Sequence, residues 1–444
     1  MTAHTAPQSA RAQRTGRLAG VDVARFLAVL GMFNIHFGVP FFGSPAAGYV
    51  AQFSSGRATA LFTLLAGVSL AMLSGRTEPP RGTDLRRARV RIAVRAVLLI
   101  VLGLLLARAT EATGFLITVI IPYYGVYFLL CVPFAGLRAR GLAVAAGCGV
   151  LLSPQLSFVL RGLLADGGPL AGLQEAVESV DPAHLFADAG LLDLVLTGFY
   201  PAVAYVPLVL CGMAVGRLDL RSTRVRIRLG IAGLAAYAMA RAGSATLLLL
   251  AGAEQPEPGW GGVDVDEPTA LLGTTAHSGT TLELLSAAGT GLVILAACLE
   301  LADRLGLLLR PVAAAGSMAL TLYAAHALVL TWQVVSGGWP MKGVPRGAWE
   351  MAHMGPDLPD TPETPDFPVD PTEPDGIFGF VHTWMPEVFP IASLVLPVLW
   401  CLVFRRGPLE AALSEAVRVI SARFEPLLRA PRTARSPVEV RQRS

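Results

Sequence analysis

Asp22, Arg25 and His36 lie in GVDVARFLAVLGMFNIHF, a stretch otherwise apolar enough to be buried in a membrane. At about 100° per residue, the step from Arg25 to His36 closes nearly three helical turns. The two side chains therefore share one stripe, about 16 Å apart along the axis, and Asp22 falls near the same stripe. An ionisable side chain at the centre of a membrane helix costs about 2.5–3.5 kcal/mol. Three on one face thus point to a protein-lined site, in which a histidine titrating near neutrality suits proton transfer. An arginine paired with an aspartate one turn away suits holding an anion or a partner helix. The competing reading puts Asp22 and Arg25 at one wet end of the helix and His36 at the other.

Further residues carry similar chemistry. Tyr323 and His326 are three apart on a late apolar run, so they point the same way, either to bind one ligand or to make a helix-to-helix hydrogen bond. Arginines crowd the segment from Arg76 to Arg91, where Arg86, Arg87 and Arg91 suit either nucleotide phosphates or lipid headgroups. Arg95 lies one turn deeper, where lipid contact explains it less easily. Arg57 sits at the outer mouth of the second apolar run, placed to meet an acidic or sugar acceptor. Pro122, Tyr123, Tyr124 and Tyr127 interrupt the fourth run. His184, His277, His353 and His382 read as solvated residues of outer loops.

The elements that must position these groups are membrane helices. Of 444 residues, 53% are hydrophobic and 15% charged, far from the balance of a soluble enzyme. Ten apolar runs approach bilayer length: Leu18–Phe37, Arg57–Leu73, Val90–Arg108, Gly114–Gly136, Gly141–Leu160, Leu191–Gly216, Ile227–Ala251, Leu282–Asp303, Pro311–Val335 and Phe380–Phe404. The expected fold is all-α, a polytopic integral membrane protein of about ten transmembrane helices. The N-terminal tail, alternate loops and the C-terminal tail are rich in arginine, while the intervening long loops are acidic. By the positive-inside rule both termini are cytoplasmic.

The chain divides into a basic tail over 1–17, a transmembrane bundle over 18–404 and a second basic tail over 405–444. Within the bundle, the segment 336–379 contains PDLPDTPETPDFPVDPTEPDG, whose prolines and acids forbid a packed core, so it reads as an extended outer loop. Five cysteines lie within apolar runs without ligand spacing, and neither a disulfide nor a metal site is expected. Asp22 and Arg25 argue against signal-peptide cleavage. The slight positive charge reflects topology and implies no nucleic acid.

Asp22, Arg25 and His36, as D-x-x-R followed by ten residues and His, resemble the first-helix motif of the membrane-bound acyltransferase 3 family. ALFTLLAGVSLAM, Ala60 to Met72, is similar to that superfamily's second-helix signature, with Phe62, Leu65 and Gly67 in register and Ala66 where serine is usual. AAAGSMALTLYAAHALVL resembles a late helix carrying Y-x-x-H, here Tyr323 and His326. WCLVFRRGPLEAAL, with Arg406 to Glu410, is similar to the closing motif of an uncharacterised bacterial family grouped with heparan-alpha-glucosaminide N-acetyltransferase.

The resemblance implies transfer of an acyl group, usually acetyl, from cytoplasmic acyl-CoA to an acceptor presented at the opposite face. It makes His36 a general base or a transient acyl carrier, aided by Arg25 and Asp22. Tyr323, His326 and Arg57 would contact the acceptor, and Arg86, Arg87, Arg91 and Arg95 the CoA phosphates. Acyl-CoA is then a donor substrate with no tightly bound cofactor. The partners are the lipid bilayer of the plasma membrane and an extracytoplasmic small-molecule or glycan acceptor, with a homodimer left open. The alternative is a proton-coupled or anion transporter using the buried Arg25, His36 and His326. Against it stands the lack of an inverted repeat or of glycine-broken helix pairs.

Overall fold

In the computed structural model, residues 17–38, 49–50, 53–111, 118–187, 189–335, 384–404 and 406–428 are described, and all their regular structure is helical. In chain order the helices are α1 (Ala19–His36), α2 (Arg57–Leu73), α3 (Gly82–Glu111), α4 (Ile121–Cys131, continued by a 3-10 turn over Val132–Gly136) and α5 (Ala139–Leu164). Two short loop helices follow, α6 (Leu173–Glu178) and α7 (Pro182–Ala187), then α8 (Ala202–Gly216), α9 (Thr223–Ala251) and α10 (Thr281–Arg304). The last four are α11 (Arg310–Gly316), α12 (Ala319–Val335), α13 (Met385–Val403) and α14 (Pro408–Leu428). The proline-rich segment 336–379, His353 and His382 lie outside the described residues.

Among the described residues, six helices are long and apolar enough to cross a membrane: α1, α3, α5, α9, α10 and α13. The pair α11 and α12 together reaches that length but bends by 72°. The apolar helices α2, α4 and α8 are shorter. Length tracks position in the bundle. Much of α5, α9 and α13 is exposed, as lipid-facing helices are, whereas α2, α4 and α8 are almost entirely buried among other helices. A helix wrapped in protein need not satisfy the bilayer's thickness, since neighbouring side chains replace the lipid.

The central contact is α2 against α8, made close by two glycines. A Cβ on Gly212 would lie 1.9 Å from the Leu64 carbonyl oxygen, and one on Gly67 2.0 Å from that of Val209. Small residues at such a crossing let backbones approach and gain dispersion contacts where no hydrophobic force drives association. Gly212→Ala is therefore expected to cost about 1–3 kcal/mol, read as a lowered thermal midpoint in detergent, while Gly147→Ala, which meets open space, leaves it in place.

Two runs depart from the uninterrupted helices expected of them, and the fourth run, expected to be interrupted at Pro122, is interrupted in a different way. Pro122 does not kink a longer helix; it occupies the first turn of α4, where its missing N–H has no partner to lose. The run Leu191–Gly216 breaks into a π-helical turn over Asp193–Thr197 and a bend through Gly198, and α8 starts only after Pro201. The run Pro311–Val335 breaks between Gly316 and Ala319. A Cβ on Gly316 would fall 1.7 Å from the Asp22 carbonyl oxygen, so only glycine lets α11 end against α1. The expectation that no helix is broken at glycine is thus corrected: Gly316-Ser-Met is such a break, hidden because its residues raise no polarity signal.

One buried arginine ties the basic ends together. Arg217, 4% exposed, donates from Nη1 to the carbonyls of Ser74 (2.6 Å), Arg76 (2.8 Å) and Ala71 (3.2 Å). It also donates from Nη2 to Ala135 O (2.7 Å) and Ser74 Oγ (3.0 Å), and from Nε to Leu137 O (3.3 Å). The C-terminal carbonyls of α2 and of the α4 extension, which no helical N–H can reach, are satisfied by one guanidinium. Arg226 does similar work between α9 and α10, with Glu300 at 3.2 Å and Asp303 at 2.5 Å.

Candidate functional site

The C-terminal end of α1 and the middle of α12 bring two histidines together. His36 Nδ1 and His326 Nε2 are 2.9 Å apart, with ring centroids at 4.9 Å and planes at 25°. His326 is fully buried, enclosed by Phe33 and Phe37 from α1 and by Tyr323. Its Nδ1 is 3.1 Å from the Tyr323 carbonyl oxygen. A carbonyl only accepts, so in the neutral ring the proton sits on Nδ1 and Nε2 carries a lone pair. That lone pair faces His36 Nδ1, which must then be the donor, and the lone pair of His36 is placed on Nε2. The chain Tyr323 O, His326, His36 thus fixes both tautomers from one backbone carbonyl and makes Nε2 the basic nitrogen of His36.

Tyr323 makes one of the two contacts open to it. Its hydroxyl accepts the backbone N–H of Ile120 at 3.0 Å, the helix-to-helix hydrogen bond of the alternative reading. It opens a belt of buried tyrosines. Tyr124 bonds Thr63 at 3.1 Å, Tyr127 donates to the Tyr200 carbonyl at 2.5 Å, and Tyr205 meets His277 Nδ1 at 3.2 Å. His277, read from sequence as a solvated loop residue, is buried and packs on Phe199 with centroids 4.4 Å apart and planes tilted by 32°. Arg57 stands over the Phe53 ring at 5.1 Å and is an electrostatic neighbour of Glu283, a carboxylate 7% exposed whose Oε2 has no hydrogen bond among the described residues. Glu283 went unnoticed in the sequence because it doubles as the acidic third residue after the Thr280 cap of α10.

At the other end of α1, Arg25 Nη1 pairs with Asp22 Oδ1 at 2.5 Å, one turn apart as the spacing predicts. Asp22, buried, also pairs with Arg17. Arg25 Nη2 donates to Ser69 Oγ at 2.8 Å. Ser69 lies one turn beyond Ala66, so the second-helix motif keeps a serine on the same face, shifted by three residues. This end also holds the break between α11 and α12. Glu410 Oε1 accepts the backbone N–H of Leu320 (2.8 Å) and of Thr321 (3.1 Å), and its Oε2 accepts the Thr321 hydroxyl (2.6 Å). The Arg-Gly-Pro-Leu-Glu motif, read from sequence as a family mark alone, therefore caps the second half of the broken helix.

Arg95 is half-buried and within electrostatic range of Arg25, Arg406 and Glu410. Arg87 and Arg91, two and one turns nearer the start of α3, line a cleft against α14. Arg86, about 100° away around the helix, is exposed and outside that lining. The anticipated phosphate contacts thus separate into an aligned series of Arg87, Arg91 and Arg95 and an outlying Arg86.

His184 joins Glu178 and Asp193 in a loop cluster whose ligand atoms lie within 4.8 Å of one another. It is half-buried and pairs with Asp193 at 3.5 Å, so it too differs from a solvated loop residue.

Residues 17–250, which contain α1 through nearly all of α9, match the profile of the family described as heparan-alpha-glucosaminide N-acetyltransferase, catalytic. No curated protein sequence matches the chain.

Proposed function

The chain belongs to the heparan-alpha-glucosaminide N-acetyltransferase catalytic family, a family of multi-pass transmembrane acyltransferases, and on that premise we propose that it moves an acetyl group from acetyl-CoA to an extracytoplasmic hydroxyl or amine, on a carbohydrate or glycoconjugate. The observation that carries the reading is the His36–His326 pair. Nε2 of His36 takes the proton of the acceptor as its oxygen or nitrogen attacks the thioester carbonyl carbon. The imidazolium so formed keeps its Nδ1–H on His326, and the same Nε2 returns the proton to the departing CoA thiolate. Acceptor–H and acetyl-CoA thereby become acetylated acceptor and CoA–SH.

The arginine-rich end faces the cytoplasm by charge bias, with both termini on that side. Arg95, Arg91 and Arg87, with Arg86 at the rim, then receive the donor's phosphates, and Arg25 held by Asp22 steers its thioester arm along α1. His36 stands about 16 Å further along the axis, at the mouth where the acceptor arrives. Arg57, Glu283 and Tyr323 belong to that outer half, Arg57 and Glu283 as polar contacts for the acceptor and Tyr323 as the group that orients His326. The transporter alternative gains a broken helix from the structure. However, the N-terminus of α12, where such a protein binds its substrate, is already filled by Glu410.

The purified protein in proteoliposomes, given labelled acetyl-CoA on its arginine-rich side and a panel of amino sugars and glycans on the other, is expected to transfer label to an acceptor. Label moving unchanged across the bilayer, with no acylated product, would establish transport instead.

A further inference from the structure

The C-terminal helix α14 lies beyond the matched residues, and it forms a cleft of about 310 Å³ with the first turns of α3. Arg87, Arg91 and Arg418 line the cleft, opposed by one carboxylate, Glu425, together with the hydroxyls of Ser414 and Ser421. Two of the arginines are engaged. Arg87 meets Glu425 and Asp84, each at 3.2 Å, and Arg418 Nε meets Glu415 at 2.9 Å. Arg91 meets no carboxylate among the described residues. Ser421 is 8% exposed and its Oγ has no hydrogen bond among the described residues, although a helical serine can usually donate to the carbonyl one turn back. The Nε of Arg87, by contrast, lies 3.2 Å from Glu425 Oε1, so that carboxylate already occupies two of its nitrogens. Buried donors left idle are unfavourable unless a ligand completes them.

The missing group is an anion with several acceptor oxygens, because among the described residues Arg91 meets no carboxylate and the Ser421 hydroxyl no acceptor, while Glu425 is already engaged by Arg87. A phosphomonoester fits: near neutrality it carries a charge between −1.5 and −2 and three strong acceptor oxygens. We propose that this cleft binds a phosphomonoester through Arg91 and Ser421, displacing Glu425 from Arg87, and that the group is the ribose 3′-phosphate of the acyl donor. The assignment of the donor rests on the acetyltransferase reading above; the phosphate chemistry of the cleft does not. The path favours the donor as the source. Arg87, Arg91 and Arg95 recur every fourth residue, so one face of α3 presents a guanidinium about every 6 Å, leading from the cleft toward Arg25. A lipid bearing a terminal phosphomonoester offers the same chemistry from a different source.

The test uses the full-length protein in phosphatidylcholine nanodiscs and compares CoA with 3′-dephospho-CoA by calorimetry. CoA is expected to bind about tenfold more tightly or better, as a charge-assisted contact predicts. Ser421→Ala and Arg91→Gln should bring the ratio of the two affinities close to one. Glu425→Gln should strengthen CoA binding, a gain that misfolding cannot imitate. Equal affinities in the unaltered protein would remove the donor as the source. In that case nanodiscs doped with phosphatidic acid, against phosphatidylserine as control, would have to raise the thermal midpoint in a Ser421-dependent way. No response in either arm overturns the proposal. Discrimination of CoA without acetyl transfer would overturn the acetyltransferase reading and leave the cleft assigned.

Discussion

Replacing His36 with alanine is expected to lower acetyl transfer by about 10²- to 10⁴-fold, the usual worth of a positioned general base, while the protein still inserts and binds CoA. The geometry makes a sharper statement about His326. This residue is expected not to touch the acceptor. Its Nε2 receives the Nδ1–H of His36 and so keeps the lone pair of His36 on Nε2. His326→Phe removes that receiver, fills the same aromatic pocket beside Phe33 and Phe37, and should lower kcat/KM by roughly 10- to 100-fold. His326→Gln restores an acceptor oxygen and should recover part of the loss. If the two rings work as one unit, the double variant His36→Ala, His326→Phe is no slower than His36→Ala alone. Losses that multiply would show that the histidines act separately and would remove the relay. The measurement is steady-state acetyl transfer in proteoliposomes, corrected for inserted protein.

Periodicity made the first helix legible. The three-residue spacing of Asp22 and Arg25 predicts the pair that forms, and the eleven-residue spacing to His36 predicts one stripe with its two ends in different company. The meeting of His36 with His326 was also within reach, since both are ionisable groups on apolar helices and each needs a partner. The breaks were not. Gly316, Ser317 and Met318 belong to an apolar run that carries no Asp, Glu, Lys or Arg, and the reason they bend the chain is the Asp22 backbone 294 positions away in sequence from Gly316. Arg217 reads as one more arginine of a basic loop, because charge counting weighs its side of the membrane and is blind to six oxygens gathered from two other helix ends. The misreading of His277 has the same origin. An acidic outer loop suggests solvent, yet this loop folds back so that the ring packs on Phe199 and Tyr205. Local spacing is written in the chain, whereas closures between distant segments depend on which backbone groups lack partners.

Glu410→Ala is expected to lower the thermal stability by about 3 kcal/mol and kcat by roughly 10- to 100-fold, although Glu410 touches neither histidine. Its two oxygens accept from Leu320 N–H, Thr321 N–H and the Thr321 hydroxyl, and the helix they cap carries His326 less than two turns further on. Without the carboxylate, the first turn of α12 has orphan donors at the break. The helix can satisfy them only by unwinding or by tilting toward other acceptors. Either motion shifts His326 against His36, and a displacement of about 1 Å at a reacting centre costs on the order of 10² in rate. Glu410→Gln keeps one acceptor oxygen and should fall between the parent and the alanine variant. The control is Arg226→Ala, which severs the ties from α9 to Glu300 and Asp303. It should lower the thermal midpoint comparably while kcat per folded molecule holds. A Glu410→Ala protein with reduced stability and full kcat would mean that the cap maintains the fold alone, and that the position of His326 is set by Phe33, Phe37 and the Tyr323 hydrogen bond to Ile120.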